Sequence, residues 1–133
     1  MRAIAIDPGH TTGYAIYDGE IVLIDSLSAE EFIKLLRNSD SWYSVFLEST
    51  PVLSSNNSQS FIHHSIEQEI MCRTTLIQFI SPGVWKPFAR AMAWRVPLAV
   101  NQHEKDAYNI LRYGMLSNYD IRIESNRVMR RVP

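Results

Sequence analysis

AIAIDPGHTTGYAI, residues 3–16, is the stretch on which the fold turns. It opens as an apolar run of strand length and stops on an acid, Asp7. Pro8 and Gly9 follow at once, then two threonines, Gly13 and a second apolar run. Two strands joined by a tight turn account for that pattern. Just beyond, Asp18-Gly19 is a two-residue hairpin signal leading into Glu20–Asp25, which is rich in Ile, Val and Leu. Residues 2–25 are therefore expected to form three antiparallel strands. The chemical puzzle is why a core strand should end on a carboxylate followed by a glycine-marked turn.

Working outward, Ser28 with Glu31 three residues on is a capping box, and Phe32, Leu35 and Leu36 support a helix over Ala29–Arg37. SVFLEST, residues 44–50, reads as a fourth strand that again ends on an acid, Glu48. PVLSSNNSQS, residues 51–60, has loop composition. In the helix predicted after it, Ile62, Ile66 and Ile70 recur at four-residue spacing. Thr75–Ile80 reads as a fifth strand closed by Pro82-Gly83, Val84–Trp94 as a short helix, and Asn101 or Gln102 opens a last helix to about Leu116. The order β-β-β-α-β-α-β-α-α predicts an α/β fold: a mixed five-stranded sheet, three antiparallel strands then parallel αβ units, with helices on both faces. Residues 1–118 are expected to form one domain, with 119–133 a basic C-terminal tail, either a loose arm or an edge strand.

With 46% hydrophobic and 20% charged residues, the chain has the composition of an ordinary globular protein. No apolar stretch approaches the ~20 residues that span a bilayer, and no signal peptide is expected, since Met1–Ile6 simply becomes a strand. Cys72 is the single cysteine, which excludes an internal disulfide and a cysteine metal cluster and points to a reduced intracellular compartment. The net charge of −1 conceals an asymmetry. Residues 1–80 carry four basic and ten acidic side chains, and residues 81–133 carry nine basic and four acidic. Such a division suits a cation-binding cluster beside a polyanion-binding face.

The chemistry-bearing residues follow from the strand ends. In open α/β sheets sites gather at the carboxyl ends of strands, so parallel pairing of strands 1 and 4 would set Asp7 beside Glu48. Like charges that close are costly unless a cation neutralises them. HEKDAYNIL in the last helix adds His103 and Asp106, three apart and so on one helical face. Three carboxylates and a histidine suit Mg²⁺, with Mn²⁺ as a substitute. Two such ions about 4 Å apart are the usual machinery for attack of water on a phosphodiester. Taken singly each piece has an ordinary explanation, a solvated strand end or a polar helix face; their conjunction in this element order does not.

Together, IDPGHTTGYAI, FLEST and HEKDAYNI resemble the RuvC family of Holliday junction resolvases, within the ribonuclease H-like superfamily, over residues 2 to about 116. The resemblance implies a divalent-metal-dependent endonuclease that resolves Holliday junctions or other branched DNA, acting as a homodimer. Its catalytic and metal-binding residues fall on Asp7, Glu48, His103 and Asp106. SPGVWK resembles the stretch where the family has a proline followed by a basic residue, which makes Lys86 a DNA-contact candidate. Arg90, Lys105, Arg127, Arg130 and Arg131 are the other cations expected to meet DNA phosphates. The Ile62-Ile66-Ile70 helix is a candidate dimer interface. Two departures stand out. The chain is shorter than typical bacterial members, which fits a phage- or virus-encoded protein, and Val52 and Leu53 occupy the place of a base-stacking aromatic. The same opening motif begins the phosphate-binding hairpin of actin-like kinases and Hsp70-type ATPases, but those need two such domains, which 133 residues cannot hold. A YqgF-like nuclease acting on structured RNA and a non-catalytic nucleic-acid-binding protein are the alternative readings.

Overall fold

Ala3–Asp7 (β1) runs through the interior of a mixed sheet, every residue buried. In the computed structural model, which describes residues 2–39, 42, 44–49, 57–72 (57–60 by backbone alone), 76–99 and 101–130, β1 pairs antiparallel with Thr11–Tyr17 (β2). Val22–Ser28 (β3) extends the meander, and Gly19 turns the hairpin with a φ of 111°, a conformation that suits glycine. On the other side of β1 lies Ser44–Glu48 (β4) in parallel, followed by Ile77–Ile80 (β5), also parallel. Of the loop read over 51–60, residues 57–60 instead begin the helix Asn57–Met71, a polar composition being no bar to a first helical turn, while 51–56, Thr75 and Arg131 lie outside the described residues.

The sheet has six strands, not five, in the order β5-β4-β1-β2-β3-β6. The sixth, Val128–Arg130 (β6), comes from the tail and pairs in parallel with β3, covering an edge that would otherwise expose unpaired backbone groups. Of the two behaviours expected for the tail, these residues adopt the edge strand.

Alternation along β1 divides the core in two. Ile4 and Ile6 face Ala29–Arg37 (α1) and Asn57–Met71 (α2), packing with Phe32, Leu36, Ile66 and Ile70. Ala3 and Ala5 face the opposite way, towards Pro82–Ala91 (α3) and Gln102–Tyr119 (α4), with Ala15, Ala107, Ile110 and Leu111. Small residues on that face let α4 lie close against the sheet. Ser28 caps α1 as the capping box requires, its hydroxyl accepting from the Glu31 amide at 3.2 Å. The isoleucine stripe of α2 is spent inside the protomer: Ile66 and Ile70 are buried in this second core and Ile62 packs against it. That corrects its expectation as a dimer interface, because a four-residue apolar spacing marks a buried face without saying what covers it. No described helix is long and apolar enough to cross a membrane.

Candidate active site

Parallel pairing of β1 with β4, Ile6 opposite Leu47, carries both strands forward so that Asp7 and Glu48 emerge side by side. Their carboxyl groups are close enough for each to act on the ionisation of the other. Burial first, then repulsion from Asp106, pushes Asp7 up to about 7; burial first, then repulsion from Asp7, pushes Glu48 to about 7. Two carboxyl groups this close in a partly desolvated cleft cannot both ionise cheaply, so near neutrality the pair retains a proton.

Helix α4 completes the cluster because Gly13 lets it. A Cβ at Gly13 would fall 2.1 Å from the His103 carbonyl oxygen and 2.9 Å from the Glu104 nitrogen, so no other residue permits this approach of the helix to β2. Asn101 caps α4, its side chain accepting from the Glu104 amide at 2.9 Å while donating to Ser26 at 2.9 Å. The first turn then sets His103 Nδ1 3.1 Å from Asp7 Oδ2. Asp106 lies one turn further on, near enough to raise both Asp7 and Glu48, and its Oδ1 accepts from Gln102 Nε2 at 2.7 Å. Lys86, from α3, is the cation that favours the charged forms of Asp7 and Glu48. The structure thus brings Asp7, Glu48, His103, Asp106 and Lys86 to one end of the sheet.

The tight turn expected between β1 and β2 is closed by a side chain. Gly9 is not in the left-handed region; the Thr12 hydroxyl instead donates to the Gly9 carbonyl at 2.9 Å and stitches the turn together. Two supports of Glu48 had no sequence signal of their own. Trp85, buried, donates its indole N–H to Glu48 Oε2 at 2.9 Å, and His63 Nε2 donates to the Glu48 carbonyl at 2.8 Å. Trp85, 2% exposed, has no ring face open to a nucleic-acid base.

The cations divide. Lys86, Arg90 and Arg95 border a groove of about 580 Å³ that also contains Asp106 and Asn109. Lys105 and Arg127 are exposed. Arg130 is not free to meet DNA: it donates to both oxygens of the buried Glu104, to Asp25 at 3.3 Å and to the Leu98 carbonyl at 3.1 Å. A buried carboxylate on α4 outcompetes solvent for that guanidinium. A surface concavity of about 960 Å³ beside Leu23, Asp25 and Leu35 contains none of Asp7, Glu48 or Asp106.

Among the described residues no three His, Cys, Asp or Glu side chains already form a finished metal cage. The donor set nonetheless fits a hard divalent cation. Asp7 and Glu48 supply oxygens whose mutual repulsion a proton or a cation relieves, and Asp106 adds a third carboxylate whose charge acts on both.

At the level of sequence, no protein family matches the chain, and no curated protein does. At the level of fold, it is similar to the Thermus thermophilus RuvC structure, with a TM-score of 0.53 over 88% of this chain and 96% of that one, at 10% identity. The chain has the RuvC fold. The fowlpox virus resolvase, solved with its substrate Holliday junction DNA, superposes at a TM-score of 0.39, at 15% identity over 90% of this chain and 79% of that one. In the RuvC fold of this chain the acids stand at the carboxyl ends of the two central parallel strands, as the ribonuclease H-like resemblance implied.

Proposed function

We propose that the chain is a divalent-metal-dependent endonuclease that cuts branched DNA, four-way junctions above all. The observation that carries the reading is the juxtaposition of Asp7 and Glu48 at adjacent parallel strand ends, with Asp106 and Lys86 close enough to act on both. Asp7, Glu48 and Asp106, with His103 at the edge, are the residues that would hold the metal. When bound, Mg²⁺ or Mn²⁺ would supply an activated water and neutralise charge on the phosphate.

The chain's own groups have definable tasks. His103, donating from Nδ1 to Asp7, keeps one oxygen of that carboxylate oriented and leaves Nε2 to accept or deliver a proton. Trp85 fixes Glu48 in the same way from the other side. Lys86 offsets negative charge where a phosphate approaches, and Arg90 and Arg95 continue the positive border along the groove containing Asp106. Symmetric resolution of a junction requires two such sites, so a homodimer belongs to this reading.

The test is cleavage of a four-way junction in Mg²⁺, beside matched duplex, flap and structured RNA. Junction cutting that needs the metal, and that Asp7→Asn abolishes while folding and junction binding persist, is the expected result. Preference for structured RNA would transfer the site to an RNA-processing nuclease. Binding without cutting of any substrate would leave a nucleic-acid-binding protein that keeps the fold.

A further inference from the structure

Halfway along α4 sits a cation that the proposed nuclease site does not use. Arg112 is only 6% exposed. Its guanidinium lies 4.1 Å from the centre of the Tyr108 ring and 5.4 Å from that of Trp94. Burial raises the Tyr108 phenol above its ordinary value and the adjacent guanidinium opposes the shift. Among the described residues no carboxylate is within ion-pair distance of Arg112, and its buried Nε–H meets no acceptor. Desolvating an ion is costly, and aromatic faces return only part of that cost. The arrangement lacks an anion.

There is room for one. Arg112 lines two adjoining cavities under the Trp94–Pro97 segment, one of about 560 Å³ shared with Arg95 and Ser125, the other of about 310 Å³ shared with Arg122 and Glu124. Three arginines against one glutamate leave the lining positive. The segment overhead is held between two residues in the left-handed region, Ala93 at φ 52° and Leu98 at φ 63°, a conformation that costs non-glycine residues energy.

We propose that these cavities form an oxyanion site for a phosphate group, with Arg112 at its floor and Arg95 at its rim. A guanidinium fork matches the spacing of phosphate oxygens, and several arginines together select the more highly charged anion over a carboxylate. The larger cavity shares Ala93, Trp94 and Arg95 with the groove containing Asp106. A nucleic-acid strand leaving that groove would meet this site next; free inorganic phosphate is the other source of the same chemistry. The proposal does not depend on cleavage and is measured without it.

The full chain, without divalent metal, is titrated with inorganic phosphate against chloride at matched ionic strength, by calorimetry and thermal shift. Saturable binding with a raised melting temperature is expected. Arg112→Met, which refills the slot between the rings without charge, should abolish it, and Arg95→Gln should weaken it about tenfold, the loss of one charge-assisted contact. No saturable response, or an unchanged one in Arg112→Met, overturns the site. Should Arg112→Met fail to fold, the exposed Arg95→Gln and Arg122→Gln decide: phosphate affinity unchanged in both overturns it equally. Displacement of phosphate by a 5′-phosphorylated single-stranded oligonucleotide assigns the site to a strand phosphate. Phosphate binding that the oligonucleotide does not displace assigns it to the free anion, and either outcome supports the site.

Discussion

Replacing Arg130 by Met tests whether the C-terminal strand holds α4, the helix of His103 and Asp106, in place. Arg130 reaches from β6 across the sheet edge to Glu104, which is 0% exposed and lies between His103 and Asp106 on the first turn of α4. Met keeps most of the stem and removes the charge. Taking one partner from a buried pair costs about 3–5 kcal/mol. Two features reduce the figure here: the Arg130 side chain is 32% exposed, and Ser26 still donates to Glu104 at 2.7 Å. A loss of about 2–3 kcal/mol is therefore expected. At about 2.1 cal/mol/K of unfolding entropy per residue, that lowers the melting temperature by about 7–11 °C. The deficit should also depend on pH. A buried carboxylate deprived of its arginine favours its neutral form, so in the variant this group contributes stability below the ordinary carboxylate range and loses it as pH rises. The gap between variant and wild type should therefore be widest near pH 7.5 and narrow towards pH 5 in metal-free urea melts. Glu104→Gln on the same background should recover part of the loss, because the two residues act as a pair. A deficit under about 1 kcal/mol, equal at both pH values and additive in the double variant, would refute the argument.

The same geometry makes further outcomes measurable. Because Asp7 and Glu48 are both raised to about 7, metal-free protein should lose stability as pH rises through that value; Asp7→Asn should flatten the profile and exceed wild type near pH 8 in thermal melts. Mg²⁺ at ten times its dissociation constant should restore about 1.4 kcal/mol to wild type at pH 8 and nothing to Asp7→Asn. Gly13→Ala forces α4 off the sheet, since backbone atoms of His103 stand where the methyl would go; a loss of about 1–3 kcal/mol in denaturant melts is expected, with cleavage falling further than folded fraction. In Ca²⁺, Lys86→Ala and Arg127→Ala should each reduce the slope of log junction affinity against log salt by about one unit, which salt titrations of binding will show. Point variants are the right probe of the tail, because deleting it would also remove β6.

Local signals carried most of this architecture. The Ala-Ile alternation of β1, Asp18-Gly19 and the Ser28 capping box act within a few residues of themselves, and α1 occupies Ala29–Arg37 as read. The pairing of Asp7 with Glu48 was legible because element order alone makes β1 and β4 neighbours. What escaped was non-local. β6 is three residues long and exists because β3 offers an open edge, which no pattern within Val128–Arg130 announces. Gly13 reads locally as a turn marker, yet its work is to admit a helix ninety residues away in the chain. Trp85 and His63 look like core and surface residues until Glu48 is seen between them.

Charge counting misled for the same reason, and the correction bears on where DNA would lie under the proposed function. Of the nine cations in residues 81–133, Arg112 is buried between rings and Arg130 is bound to Glu104, so neither contributes to an open positive face. Three of the cations that remain, Lys86, Arg90 and Arg95, border a groove that contains Asp106. A strand drawn to that border brings its phosphates against Asp7 and Glu48, where carboxylate and phosphate repel each other. Neutralising the carboxylates relieves both repulsions together, so divalent metal and DNA must favour each other's binding under the proposed function. Linkage makes that coupling reciprocal: whatever factor the metal adds to junction affinity, the junction adds to metal affinity. Under the proposed function, metal would therefore bind at Asp7 and Glu48 most readily when DNA already lies along the groove.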